Sequence, residues 1–199
     1  MRRLIAAILM LACGQALAQG AGPREVFQLD QYVIKVDGAI EPGEYRSSFV
    51  DRRTGIEVFW QADSHNLQVA MRSPGSGWLA LGLGSAGMNG AVMIIGFQDG
   101  QGNWVVQEHL GKPFFRHAPA EKPRLVSGQA RLVDGRLVME FVLPLVLANG
   151  QAIAPGRELP FLLAYHKDKG KLSKHSKKSS GSLKMTRTPV QPTETGREK

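Results

Sequence analysis

Apolar side chains in this chain come in short runs that mostly alternate with polar ones, and Gly, Pro, Asn and Asp punctuate them. Tyr32–Val36 alternates up to the turn at Asp37-Gly38, and Tyr45–Val50 follows the turn Ile40–Glu44. Ile56, Val58 and Trp60 fall on one side of an extended segment, and Leu67, Val69 and Met71 continue that side beyond a hairpin turn at Asp63–Asn66. Two apolar runs, Trp78–Leu83 and Ala91–Phe97, form the centre of the pattern. Trp104–Leu110 begins another strand, and 111–123 is an irregular, proline-containing excursion. Arg124–Val133 and Arg136–Leu143 are joined by Asp134-Gly135, a strong two-residue hairpin signal. Leu137, Met139, Phe141 and Leu143 share one face of the second. Leu159–Tyr165 is a late apolar strand, and a final one is expected near Ser182–Arg187. No helical period extends beyond a turn or two. Short strands at near-regular spacing with hairpin turns predict an all-β fold, an antiparallel β-sandwich of about ten or eleven strands in a single domain.

The ends of the chain read differently. Arg2-Arg3, the apolar run Leu4–Ala12 and Ala16-Leu17-Ala18 before Gln19 have the form of a cleaved secretory signal over residues 1–18. Cys13, the only cysteine, lies inside it. Lipidation there would require cleavage before Cys13, and Met10-Leu11-Ala12 is a poor approach to such a site. Residues 19–29 are a lead-in, 30–185 the sandwich domain, and 186–199 a tail with no apolar pattern, expected to be disordered. The apolar run of the signal is too short to span a bilayer, and no later segment approaches 18 apolar residues, so the expectation is an exported protein, periplasmic or secreted, that does not itself span a membrane. Without cysteine the mature chain has no disulfide, no thiolate metal site and no covalent haem attachment.

Charge sharpens one segment only. Between residues 167 and 184 there are seven lysines and one acid, Asp168; the remainder of the mature chain balances. Such a run is either a solvated loop or a docking patch for an acidic surface or anionic headgroups. Nucleic acid is disfavoured by export and by the lack of aromatic residues among the lysines.

Gly82-Leu-Gly84-Ser-Ala-Gly87 fits the dinucleotide fingerprint G-x-G-x-x-G, but no helix can open at its third glycine. Asn89-Gly90 follows, and then a run too short for a βαβ crossover. The loop does place one soft side chain, Met88, among small residues. A thioether there is either a gap-filler or a metal ligand. No Ser/His/Asp arrangement, carboxylate pair or phosphate loop is present, so an enzyme is not expected.

The series DGAIEPGEY (37–45), TGIEVFWQAD (54–63), NLQVAMRSP (66–74), GWLALGLG (77–84) and GMNGAVMIIGF (87–97), with the late AYHKDKGKLSKHSKKSSGS (164–182), resembles the DOMON domain over about residues 30–185. The resemblance implies an exported β-sandwich that binds haem b or, in other members, sugars or small aromatic ligands. It implies Met88 and His175 as axial ligands of a non-covalent haem b. That pair would leave no open position on the iron, which suits electron transfer. A redox partner follows from this, such as a membrane b-type cytochrome or an acidic protein surface meeting Lys167–Lys184. His166 departs from the family pattern and is an alternate ligand. The competing reading is a ligand-binding or adhesive module for a carbohydrate or phenolic, with Met88 idle and exposed aromatics as the platform. Met71, Met93, Trp60 and Trp78 are expected in the core, though an aromatic near Met88 could pack on a porphyrin. His65, His109 and His117 lack zinc-motif spacing.

Overall fold

The structure, a computed structural model, describes residues 34–114 and 116–184 in full and the backbone of 24–28 and 185–187. The expected signal sequence and the tail beyond 187 lie outside the described residues. The described residues contain twelve strands and no helix. They are β1 (Arg24–Gln28), β2 (Ser47–Val50), β3 (Glu57–Ala62), β4 (Asn66–Arg72), β5 (Leu79–Leu83) and β6 (Val92–Gln98), followed by β7 (Trp104–Lys112), β8 (Arg116–Pro119), β9 (Ser127–Val133), β10 (Arg136–Pro144), β11 (Glu158–Tyr165) and β12 (Lys177–Arg187).

The strands form two antiparallel layers. One has the order β8-β7-β6-β5-β11-β12, and the other is β9-β10-β4-β3 with β2 also on β3. β1 links them, running parallel to β12 along its length and touching β3 only at the Gln28–Ala62 pair. The expected sandwich is therefore present, with short strands added where the sequence pattern was silent. β1 falls in the stretch read as a lead-in. β8 falls in the excursion read as irregular, where an edge position tolerates Pro119. Tyr32–Val36 is the reverse case: its described part, 34–36, forms no strand.

The core between the layers follows the alternation read from the sequence. Val58 and Trp60, Leu67, Val69 and Met71, and Leu137, Met139, Phe141 and Leu143 from one layer meet Leu79, Leu81 and Leu83, Val92 and Ile94, and Phe161 and Leu163 from the other. Asp134 and Gly135 both adopt positive φ, 50° and 74°, as the tight β9–β10 hairpin requires.

The two outward faces differ in chemistry. On the β3-β4-β10 layer, Glu57 pairs with Arg72 at 2.9 Å, and Gln61 donates to Gln68 at 2.8 Å. Glu140, fully buried there, accepts from Asp37 N, Gly38 N and the Tyr45 hydroxyl at 3.0, 2.6 and 2.8 Å. This outward face is thus polar, with its buried Gln61, Gln68 and Glu140 held by hydrogen bonds. The outward face of the β6-β5-β11 layer carries Ala80, Gly82, Met93, Ile95, Phe97, Leu162 and Ala164 instead.

Candidate functional site

That apolar outward face is the site candidate. Ala80 stands between Ile95 and Ala164 in register, and Gly82 between Met93 and Leu162. Small residues, Ala80, Gly82 and Ala164, thus form the floor, beside the larger Met93, Ile95 and Leu162. Trp78, Ala80, Ala91, Met93 and Ile95 form an apolar cluster of their own, separate from the core between the layers. Met93 and Trp78 are buried in apolar packing as expected, and they belong to this outer cluster rather than to the one between the layers because their positions have the parity opposite to that of Leu79, Leu81 and Ile94. Met71 and Trp60 are in the core as expected.

Met88 packs on the outer cluster, half-buried. Its loop, between β5 and β6, is fastened from several sides. Gly87 N donates to Ser85 Oγ at 3.2 Å and Ser85 Oγ to the Asn89 carbonyl at 2.9 Å. Asn149 Nδ2 donates to the Gly90 carbonyl at 3.1 Å, Gly90 N to the Gly111 carbonyl at 3.1 Å, and Gly111 N to the Ala91 carbonyl at 2.8 Å. Gly111, at the end of β7, lies so close that a Cβ on it would overlap the Met88 carbonyl oxygen. The sequence reading missed Gly111, and an isolated glycine inside a strand pattern was the signal for it.

His175 comes from the segment between β11 and β12 and is half-buried. Burial, then the charge of Lys178 and to a lesser degree that of Lys174, holds its imidazole below the usual histidine range, against a hydrogen bond to its own backbone. It is therefore neutral near pH 7 and has a lone pair for a metal.

The topology sets the relation between the two. Leu83 faces Val92 and Phe161, so the Met88 loop leaves the C-terminal end of β5. Leu79 faces Tyr165, which in turn faces Lys177, so His175 lies by the N-terminal end. The two loops therefore stand at opposite ends of this sheet. They flank one sheet face from opposite ends, separated by the length of β5, about 13 Å at 3.3 Å per residue.

His166 is placed otherwise. Its Nδ1 accepts from Asp168 N at 3.2 Å and Lys169 N at 3.0 Å, and lies 3.3 Å from the Asp168 carboxylate. These bonds assign it to a turn and engage its Nδ1 lone pair. The same segment is tied to the outer cluster, where Trp78 N donates to the Lys169 carbonyl at 2.9 Å and Trp78 Nε1 to Ser173 Oγ at 3.4 Å. Lys167, Lys169, Lys171, Lys174, Lys177 and Lys178 are all exposed around it, while Lys184 is half-buried on β12. The dinucleotide reading is closed by the fold: Gly82–Gly87 leads from one strand to the next with no helix.

The architecture has solved counterparts. The cytochrome b domain of pyranose dehydrogenase from Coprinopsis cinerea matches with a TM-score of 0.53 at 15% identity, over 69% of this chain and 80% of that one. The cytochrome domain of Myriococcum thermophilum cellobiose dehydrogenase matches with a TM-score of 0.51 at 11% identity, over 72% and 91%. This chain shares its fold with cytochrome b domains. A family 9 carbohydrate-binding module from Caldicellulosiruptor kristjanssonii, solved with glucose, matches with a TM-score of 0.49 at 8% identity, over 84% and 98%. No family model and no curated protein sequence matches the chain. At these identities the likeness is one of fold, and chemistry has to be argued from the residues themselves.

At the β7 edge of the same face His109 stands opposite Met93 and is 4% exposed. Burial, and secondarily the neighbouring His117, pushes its pKa down to about 4. The folded protein keeps this ring neutral while the unfolded chain protonates it near 6.5. Stability is therefore complete above about pH 6.5 and falls as the pH drops towards 4, by on the order of 2 kcal/mol. Chemical denaturation of His109→Leu should show a smaller loss between pH 6.5 and 4.5 than the parent; an unchanged slope would place the acid sensitivity elsewhere.

Proposed function

We propose that this protein is an exported, non-catalytic electron carrier that holds haem b on the outward face of the β6-β5-β11 layer, with Met88 and His175 as axial ligands. The observation that carries the reading is the apolar outward face, floored by Ala80, Gly82 and Ala164, with a thioether at one end and an imidazole at the other. A porphyrin needs an apolar surface without bulky side chains beneath it. Met88 and His175, in the loops that bound this face at its two ends, would hold the group there. The donor set is a soft thioether with an imidazole kept neutral by its surroundings. The fold shared with cytochrome b domains and the DOMON resemblance support the same choice. When bound, such a group supplies one-electron chemistry, and Met/His ligation raises its potential and leaves no site for substrate. The chain's own contribution is to position the two ligands and to exclude water from the face. His166 is not chosen, because its Nδ1 already closes the turn after β11.

The test is the visible spectrum of protein produced with haem available. A reduced, low-spin b-type spectrum is expected. Protein that stays colourless through haem titration would overturn the proposal and favour the ligand-binding alternative.

The exposed lysines stand at the His175 end of the face, so the reading includes a redox partner with an acidic surface, such as a membrane b-type cytochrome, approaching from that end. Charge reversal at Lys171, Lys174 and Lys177 should slow electron exchange on the order of tenfold at low salt. The difference should shrink at physiological ionic strength, where screening acts over about 8 Å. A stopped-flow rate indifferent to both charge and salt would reduce the run to a solvated loop.

A further inference from the structure

The histidines outside the axial pair are not equivalent. Nδ1 of His65 meets the neighbouring Ser64 hydroxyl, and Nδ1 of His166 closes its own turn. His109 on β7 and His117 on β8 instead point ring nitrogens at each other across the strand pair, Nδ1 to Nδ1, at 2.9 Å. Pairing of the edge hairpin places them one diagonal step apart, since His109 faces Pro119 and His117 faces Gly111. Gln107, two residues before His109 on the same face, brings its Oε1 to 2.9 Å from His109 Nε2. An amide oxygen there accepts from Nε2–H, which leaves the lone pair of His109 on Nδ1. His117 then supplies the proton of the Nδ1–Nδ1 hydrogen bond.

We propose that His109 and His117 form a two-imidazole site for a divalent transition metal of tetragonal geometry, copper(II) foremost, with Gln107 as the residue that orients His109. Metal–imidazole bonds are about 2.0–2.1 Å long, so two nitrogens at a 90° angle on one ion lie about 2.9 Å apart. At the tetrahedral angle that zinc prefers they lie about 3.3 Å apart. The observed spacing matches cis positions on a square-planar ion, and each ring has to turn by about 45° to bring its lone pair from the N–N line onto the metal. A second ring hydrogen bond to an oxygen is the usual means of fixing the tautomer and orientation of a ligand histidine, and Gln107 provides it. Both rings are kept neutral by burial, so neither must lose a proton first. The exchange balances simply: the metal replaces the shared hydrogen, and the His117 proton moves from Nδ1 to Nε2 through solvent, with no net proton released. His117 is half-buried on an edge strand, which leaves water for the remaining coordination positions. The site uses neither Met88 nor His175, and its test needs no haem.

The test is titration of the full chain, free of haem, with copper(II) in a non-coordinating buffer, followed by electron paramagnetic resonance and thermal unfolding. One equivalent should give a tetragonal signal with coupling to nitrogen and raise the midpoint, and zinc(II) should compete poorly. His117→Asn, on the edge strand, should abolish the signal at equimolar copper, and His109→Gln should do the same if circular dichroism shows it folded. Gln107→Ala should weaken binding about tenfold. His175→Gln should leave the signal intact. Stoichiometric binding that survives His117→Asn, a signal lost with His175→Gln, or no binding below millimolar copper would each overturn the proposal.

Discussion

Met88→Ala, loaded with haem b, should keep its β-rich circular dichroism and lose its low-spin reduced spectrum. Met88 leans on the outer cluster half-buried and contributes nothing to the core between the layers, so truncation should cost about 1–2 kcal/mol, towards the low end for an apolar truncation. His175→Ala should behave in the same way, since it lies outside the strands. Each variant removes one of two axial donors. Axial ligand identity spans about 0.8 V of haem potential, so a shift on the order of 100 mV is expected in a redox titration. His166→Ala should loosen the turn after β11 and leave the low-spin spectrum in place. If His166→Ala abolished that spectrum while His175→Ala did not, the axial histidine would be His166. If Met88→Ala changed neither spectrum nor potential, the thioether would be only packing.

Gly111→Ala should disturb the same spectrum without touching a ligand. A Cβ at 111 has no room beside the Met88 carbonyl, and both partners are backbone, so neither can swing aside as a flexible side chain would. Either β7 or the Met88 loop must move, which would strain the bonds from Gly111 N to the Ala91 carbonyl and from Gly90 N to the Gly111 carbonyl. Overpacking of this kind costs about 1–3 kcal/mol, and the upper part of that range is expected here. The result that identifies Gly111 as a positioning residue is a weakened haem affinity together with a lowered unfolding midpoint. A destabilised variant with unaltered haem affinity would show that the loop adapts and that Gly111 serves the strand alone.

The strands were readable because burial in a two-layer sheet has a period of two residues. Val58/Trp60, Leu67/Val69/Met71 and Leu137/Met139/Phe141/Leu143 face the core as the alternation predicts. The Asp134-Gly135 hairpin was readable because positive φ at both positions has a short list of tolerant residues. β1 and β8 were not, since each is held by pairing to a neighbour rather than by an apolar period of its own. Met93 and Trp78 show a related gap. A continuous apolar run such as Trp78–Leu83 states that both faces are covered, not which residue belongs to which face or what covers the outer one.

The sequence alone determined the all-β class, the main strands, the Met88 loop and the uneven placement of charge, because these follow from side-chain periodicity, turn chemistry and composition, which are local. Tertiary structure alone decided that one outward face is apolar and floored by small residues. It also decided that Met88 and His175 flank that face from opposite ends. Gly111 against Met88, and His109 against His117, came from it as well. Each of these is fixed by strand order and register, which join residues far apart in the chain, and a one-residue change of register would send the strand residues among them, such as Ala80, Met93 and His109, to the other face.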